Sequence, residues 1–276
     1  PVFGRRLVST GFAVRGGPLA EDDATAAALL ARARALGEAA NVGALEVRSA
    51  LPERADRIVR SGFYANFRKP IDPDVDANMK AIPRKQRAMV RKGLNAGLTS
   101  TADKDIDTCY GIYAASVRNL GTPVFPKALF RALFAEFPDS SEVTTVRDPD
   151  GGAVASVLSF FFRDEVLPYY GGGLASARRL AANDVMYWEV MRRASERGYR
   201  MFDFGRSKVD SGAYAFKKNW GFPPEPLTYS YELVHATAPP DLSPTNPKFA
   251  AATRIWQRLP LVVANRVGPW IARDLA

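Results

Sequence analysis

A chain of 276 residues with 47% hydrophobic and 24% charged side chains has globular composition and length for two domains of middling size. One cysteine and one histidine exclude an internal disulfide, a thiolate cluster and a zinc site built mainly of His and Cys. The 38 Lys and Arg against 29 Asp and Glu give a net charge of +9, which suits phosphate, nucleic acid or anionic lipid as partner.

No run approaches the roughly 18–20 apolar residues of a membrane span. With no export signal either, the chain reads as cytoplasmic, with peripheral inner-membrane contact as an option. It begins at Pro1 rather than Met and is read as the remainder of a longer protein.

In chain order, residues 12–15 read as a short strand ending at Gly16-Gly17-Pro18. Glu21, Asp22 and Asp23 lead an Ala-rich helix over 24–40. Strands are expected at 44–48 and 63–67, the second stopped by Pro70.

Pro83 then opens a helix that closes at Gly93 or Gly97 and carries Arg84, Lys85, Arg87, Arg91 and Lys92 with no acid among them. This block is either a solvated face or an anion- or tRNA-contacting arm.

The pattern restarts with a strand at 98–101, a helix at 105–120 with Cys109 packed inside, a helix at 127–137 and a strand at 142–146. Asp148-Pro-Asp-Gly-Gly152 marks a hairpin before a long strand at 153–162 and another at 166–170. Gly171-Gly172-Gly173 is expected to break that strand, and Asn183-Asp184 to cap a helix at 185–197. A strand at 199–204, a short helix at 212–220 and a last strand at 227–234 follow, with His235 incidental at its end.

Residues 239–247 form a Pro-rich linker. The tail at 248–276 mixes Trp256, Trp270 and aliphatic residues with arginines. It is expected to dock on the first domain in preference to a membrane interface, with Pro260 and Pro269 cutting its helix short.

Chemistry concentrates after residue 199. A strand delivers Asp203, and Gly205 lets the backbone turn sharply. Arg206, Lys208, Lys217 and Lys218 then gather charge suited to a phosphate ester or a developing oxyanion. Tyr170 and Tyr214 are candidate proton carriers beside Asp203, and Phe216, Trp220 and Tyr170 candidate substrate contacts.

The strand end at Asp203, the Phe216-Lys217 step and the aromatic-glycine pair Trp220-Gly221 resemble the Fem family of non-ribosomal peptidyltransferases. The basic block after Ile82-Pro83 resembles the opening of the related acetyltransferase-like domain. More narrowly, residues 202–222, with 243–248 and 256–260, resemble Fem-related proteins associated with the PEP-CTERM/exosortase system. The resemblance covers roughly four-fifths of the chain.

It implies an α/β (α+β) fold of two GNAT-like domains, each a mixed sheet flanked by helices. Their expected bounds are an incomplete one at 1–82, a basic connecting helix at 83–97, the acyltransferase domain at 98–235, and a linker and tail at 236–276. The implied reaction moves an activated acyl group from aminoacyl-tRNA or an acyl-coenzyme A thioester, used as co-substrate with no tightly bound cofactor. The acceptor is an amine of a cell-envelope or exopolysaccharide precursor.

In the family the lysine at the position of Lys217 lies at the acceptor site and steadies charge during transfer. The Gly171–173 segment falls where GNAT enzymes cradle the pyrophosphate of coenzyme A, but the family's glycine pattern is missing. Coenzyme A therefore ranks below aminoacyl-tRNA, while the missing coiled-coil arm of some Fem enzymes weakens tRNA in turn. The rival readings are a non-catalytic module that binds RNA or membrane through 84–92 and the tail, and an acyl-coenzyme A N-acyltransferase of a small metabolite.

Overall fold

The computed structural model describes residues 5–52, 54, 56–238 and 247–273. Among the described residues nine strands form one mixed sheet in the order β1-β2-β9-β3-β8-β7-β6-β5-β4. The first part of the chain gives β1 (Arg6–Val8), α1 (Asp23–Ala39), β2 (Ala44–Val47), the long β3 (Arg57–Pro70) and α2 (Val75–Ala81). After α3 (Arg84–Asn95) come β4 (Thr99–Asp103), α4 (Ile106–Leu120), α5 (Lys127–Glu136), β5 (Ser141–Arg147), β6 (Ala153–Phe162) and β7 (Glu165–Gly173). Then follow α6 (Ala175–Leu180), α7 (Ala182–Glu196), β8 (Met201–Lys208), α8 (Gly212–Asn219), β9 (Pro224–Leu233), α9 (Pro247–Arg258) and α10 (Leu261–Ala272).

The expected mixed sheet flanked by helices is present, as a single sheet in place of two. β3 precedes the expected division at residue 82, yet it is hydrogen-bonded on one side to β8 and on the other to β9. Only β1–β2 and β7–β8 pair in parallel; the other neighbours are antiparallel.

A core lies on each face of the sheet. On one, Val154, Val157, Phe161, Val166 and Phe202 pack with Val185, Met186, Val190 and Met191 of α7 and with Phe67 and Trp220. On the other, Cys109, Tyr110, Tyr113 and Ala114 of α4 meet Val143, Leu158, Tyr170 and Phe130.

Four local expectations need correction. Residues 12–15 are not a strand: their carbonyls accept from side chains (Tyr169 Oη to Phe12, Arg48 Nη1 to Ala13, Tyr229 Oη to Val14), and Phe12 sits at φ 60°. Gly171–Gly173 do not break β7 but continue it against Ala155–Val157 of β6. They are small because other elements come close; a Cβ on Gly172 would stand 2.5 Å from Ser116 Cβ of α4.

Third, α7 starts after Ala181, with Asp184 inside the helix and buried rather than capping it. The Asp184 carboxylate instead accepts from Gln86 of α3 and from Trp220 Nε1 at 3.1 Å, tying three elements together. Burial raises its pKa.

Fourth, the tail docks on the second part of the chain, not the first. Arg118 of α4 donates to Gln257 O at 3.0 Å, Trp256 Nε1 donates to Thr122 O at 3.1 Å, and Gly268 lies against Val124. Pro260 opens α10, and Pro269 lies inside that helix without ending it. The expected linker falls, apart from Pro247, outside the described residues.

Candidate active site

β7 and β8 pair only at Glu165–Met201 and Val166–Phe202. Beyond those pairs no ladder joins them, and a cavity of about 600 Å³ is lined from both strands. β7 contributes Glu165, Leu167, Pro168, Tyr169 and Gly171, and β8 contributes residues 203–207. The register against β6 slips between Pro168 and Tyr170, leaving Tyr169 as the extra residue of a bulge. Asn66 and Arg68 of β3, Tyr187 of α7, Lys217 of α8 and the 12–15 segment complete the walls.

A second bulge shapes the floor. Against β3, Asn66 faces Arg206 while Arg68 faces Asp203, so β8 holds one residue more than its partner over this step. Gly205, at φ 68°, supplies the left-handed conformation that such a bulge takes. In a regular strand successive carbonyls point in opposite directions. Here those of Phe204, Gly205 and Arg206 all reach one ammonium: Lys217 Nζ donates to them at 2.6, 3.0 and 3.1 Å.

α8 holds this lysine in place. Ser211 caps the helix by accepting from Tyr214 N at 3.2 Å, and Phe216 packs among the rings of Tyr187, Phe204 and Trp220. Burial pulls the Lys217 ammonium down to a pKa of about 8, against the opposing pull of Asp203.

Asp203 Oδ1 accepts from Gly205 N at 2.7 Å, and Asn66 Nδ2 donates to both carboxylate oxygens at 3.2 and 3.3 Å. Those bonds fix the amide orientation, since only the NH₂ side of Asn66 can face a carboxylate. They leave Asn66 Oδ1 buried without a partner, and the buried Ser207 Oγ and Arg68 Nε are likewise unpartnered. All three residues line the cavity. Arg206 donates to Tyr229 Oη at 2.9 Å and lies over the Tyr64 ring, while Arg68 pairs with Glu165.

Of the residues singled out in sequence, Lys217, Asp203 and Arg206 thus meet at this cavity. Gly171 and Gly205 line it as well, and the other candidate site residues do not. Tyr214 packs edge-on against Phe67, and Phe216 and Trp220 belong to the core. Tyr170 points to the opposite face of the sheet among Tyr113, Phe125 and Phe130. Lys208 lies over the Phe63 ring, and Lys218 and His235 are exposed.

On α3, Gln86, Val90 and Gly93 face inward at helical spacing. Arg84, Lys85, Arg91 and Lys92 are exposed, and Arg87 donates to Lys80 O at 2.9 Å. None of the five lines the cavity. Asn66, Arg68, Glu165, Tyr169 and Ser207 were not singled out in sequence. Their one advance signal is Asn66 itself, an amide at mid-strand where β-branched or aromatic residues are the usual choice.

Among the described residues no cluster of His, Cys, Asp and Glu could hold a metal ion. The arrangement therefore offers acceptors for an amine (Asp203, Asn66 Oδ1), donors for an oxyanion (Ser207 Oγ, Arg68 Nε) and a fixed positive charge at Lys217.

A mixed sheet whose two central parallel strands part to make a cavity, with helices on both faces, is a GNAT-type fold. A family model described as "Acetyltransferase (GNAT) domain" matches residues 79–218, and the chain belongs to that family. No curated protein matches the sequence. Among solved structures the chain is similar to FemX, with a TM-score of 0.62 at 14% identity over 83% of this chain and 80% of that one. It is also similar to L-PGS from Bacillus licheniformis, with a TM-score of 0.57 at 11% identity over 93% of this chain and 84% of that one. At such identities the likeness is one of fold.

Proposed function

We propose that the protein transfers an activated aminoacyl or acyl group from aminoacyl-tRNA, or from an acyl-coenzyme A thioester, to an amine of a cell-envelope or exopolysaccharide precursor. The observation that carries this reading is the convergence of Asp203, Ser207 and the three-carbonyl clamp of Lys217 on one cavity between parting strands. The Fem resemblance and the FemX-like fold support it, as do the exposed cations of α3, which suit the phosphates of a tRNA donor.

The chemistry requires no covalent enzyme intermediate. The acceptor ammonium loses one proton to solvent, and the neutral amine attacks the donor's carbonyl carbon while the Asp203 carboxylate takes a second proton from its nitrogen. A C–N bond forms, and negative charge develops on the carbonyl oxygen. The Ser207 hydroxyl can donate to that oxygen directly.

The Lys217 ammonium has all three protons engaged by backbone carbonyls and acts through its charge. Collapse breaks the C–O bond of a tRNA ester or the C–S bond of a thioester. The proton held by Asp203 returns to the departing hydroxyl or thiol.

The test follows label from charged tRNA, and separately from acyl-coenzyme A, into the amine-bearing precursors of an extract. Wild-type protein is expected to transfer label from one donor, and Asp203→Asn and Lys217→Ala to reduce it at least about a hundredfold. Unchanged turnover in both variants refutes the site.

A further inference from the structure

The outer face of α10 is built the wrong way round for a helix in water. At 100° per residue, Val262, Val263, Arg266, Val267, Trp270 and Arg273 fall within an arc of about 140°. All six are exposed, Val262 at 81% and Trp270 at 65%. The opposite face, which packs toward α4 and Val124, carries the small buried residues Ala264, Gly268 and Ala272 with the half-buried Leu261. A water-facing helix places its larger apolar groups inward; here the three valines and the tryptophan face out. Ile255 of α9 adds a further exposed aliphatic at 65%.

Charge identifies the occupant. Arg254, Arg258, Arg266 and Arg273 are exposed on the two helices, and residues 247–273 contain no aspartate or glutamate. An arginine stem buries its methylenes while its head reaches phosphate, and tryptophan prefers the headgroup level of a bilayer. Pairing two copies through this face would instead set like charges against each other. No helix among the described residues is long and apolar enough to cross a membrane, which suits an element that lies on one.

We infer that α9 and α10 form a membrane-surface docking face, in which Val262, Val263, Val267 and Trp270 enter the interfacial region of an anionic bilayer while the arginines contact lipid phosphates. Four exposed side chains of one short helix make a weak, reversible anchor, with most of the selectivity coming from charge. The face lies outside the cavity walls and functions whether or not the acyl-transfer reading holds.

The experiment is co-sedimentation of the full chain with vesicles of phosphatidylglycerol mixed with phosphatidylcholine, and with phosphatidylcholine alone. Wild type is expected to sediment with the anionic vesicles and to be released by high salt. Val263→Asp combined with Trp270→Ser, and separately Arg266→Glu combined with Arg273→Glu, are expected to lower that affinity at least about tenfold with thermal unfolding unchanged.

All these residues are exposed, so the variants leave the core intact. Failure of wild type to bind the anionic vesicles, or binding by the folded variants at wild-type strength, overturns the inference. So does sedimentation equilibrium showing a wild-type dimer that the same substitutions dissolve, which would assign the face to a second copy of the chain.

Discussion

Replacing Lys217 by methionine removes an ammonium while keeping an unbranched side chain of similar length, so it separates the lysine's charge from its bulk. Burial lowers the group's pKa to about 8 from the usual 10.5. At neutral pH the folded state therefore bears a cost of about 3 kcal/mol for holding this cation out of water. The sign follows from proton counting: between pH 8 and 10.5 the unfolded chain binds more protons at this site than the folded one. Stability contributed here thus rises with pH across that window.

Between pH 7.5 and 10 the gain is about 2 kcal/mol, and Lys217→Met abolishes it. Urea unfolding of both proteins at the two pH values reads it directly, since the difference between them cancels other groups that titrate nearby, such as Cys109 near 11. Activity moves the other way. Wild-type turnover is expected to fall as pH rises through 8 and the charge is lost, and Lys217→Met to lower kcat by about 10²–10³ at pH 7. A wild-type-minus-variant stability that is flat or declining over this range refutes the argument.

Ser207→Ala removes a buried, unpartnered hydroxyl, so stability is expected to hold or rise slightly in urea while kcat falls at least about tenfold. Asp184→Ala strands Gln86 and Trp220 Nε1 and is expected to cost about 2–3 kcal/mol. Asp184→Asn keeps an acceptor and sheds a buried charge, so it should cost less than about 1 kcal/mol by the same assay. Gly172→Ala drives a methyl against Ser116 and is expected to destabilise by about 1–3 kcal/mol, read as a lower Tm.

The longer helices and the strands of the second part were legible because their signals are local, whereas the short α2 and α6 were not expected. Pro83 before α3, the Asp148–Gly152 turn and the apolar run at 153–162 each act over a few residues. Asp203 and Lys217 were found together for the same reason, as one strand-turn-helix unit brings both to the floor of the cavity.

β3 was legible only at residues 63–67. Its first half, with Arg57, Arg60, Ser61 and Gly62, looks like a loop, and only pairing with β9 makes it a strand. The glycines at 171–173 carry the signature of a turn but answer to tight packing against Val157, Ser116 and Asn183, a demand set by other elements. The remaining cavity walls come from 12–15, 66–68, 165–171 and 187, and no local pattern joins segments so far apart. The tail showed its amphipathic composition, but not that α4 would take its small-residue side.

The position of β3 also sets when the protein can take shape. Its two neighbours in the sheet, β8 and β9, are made of residues 201–208 and 224–233. A ribosome that has released the first two hundred residues has delivered a strand with both edges bare and a cavity with no floor. The sheet is completed only when its last two strands emerge, so assembly is a late event. Until then the nascent polypeptide presents unpaired β3 to whatever chaperone or neighbour is at hand.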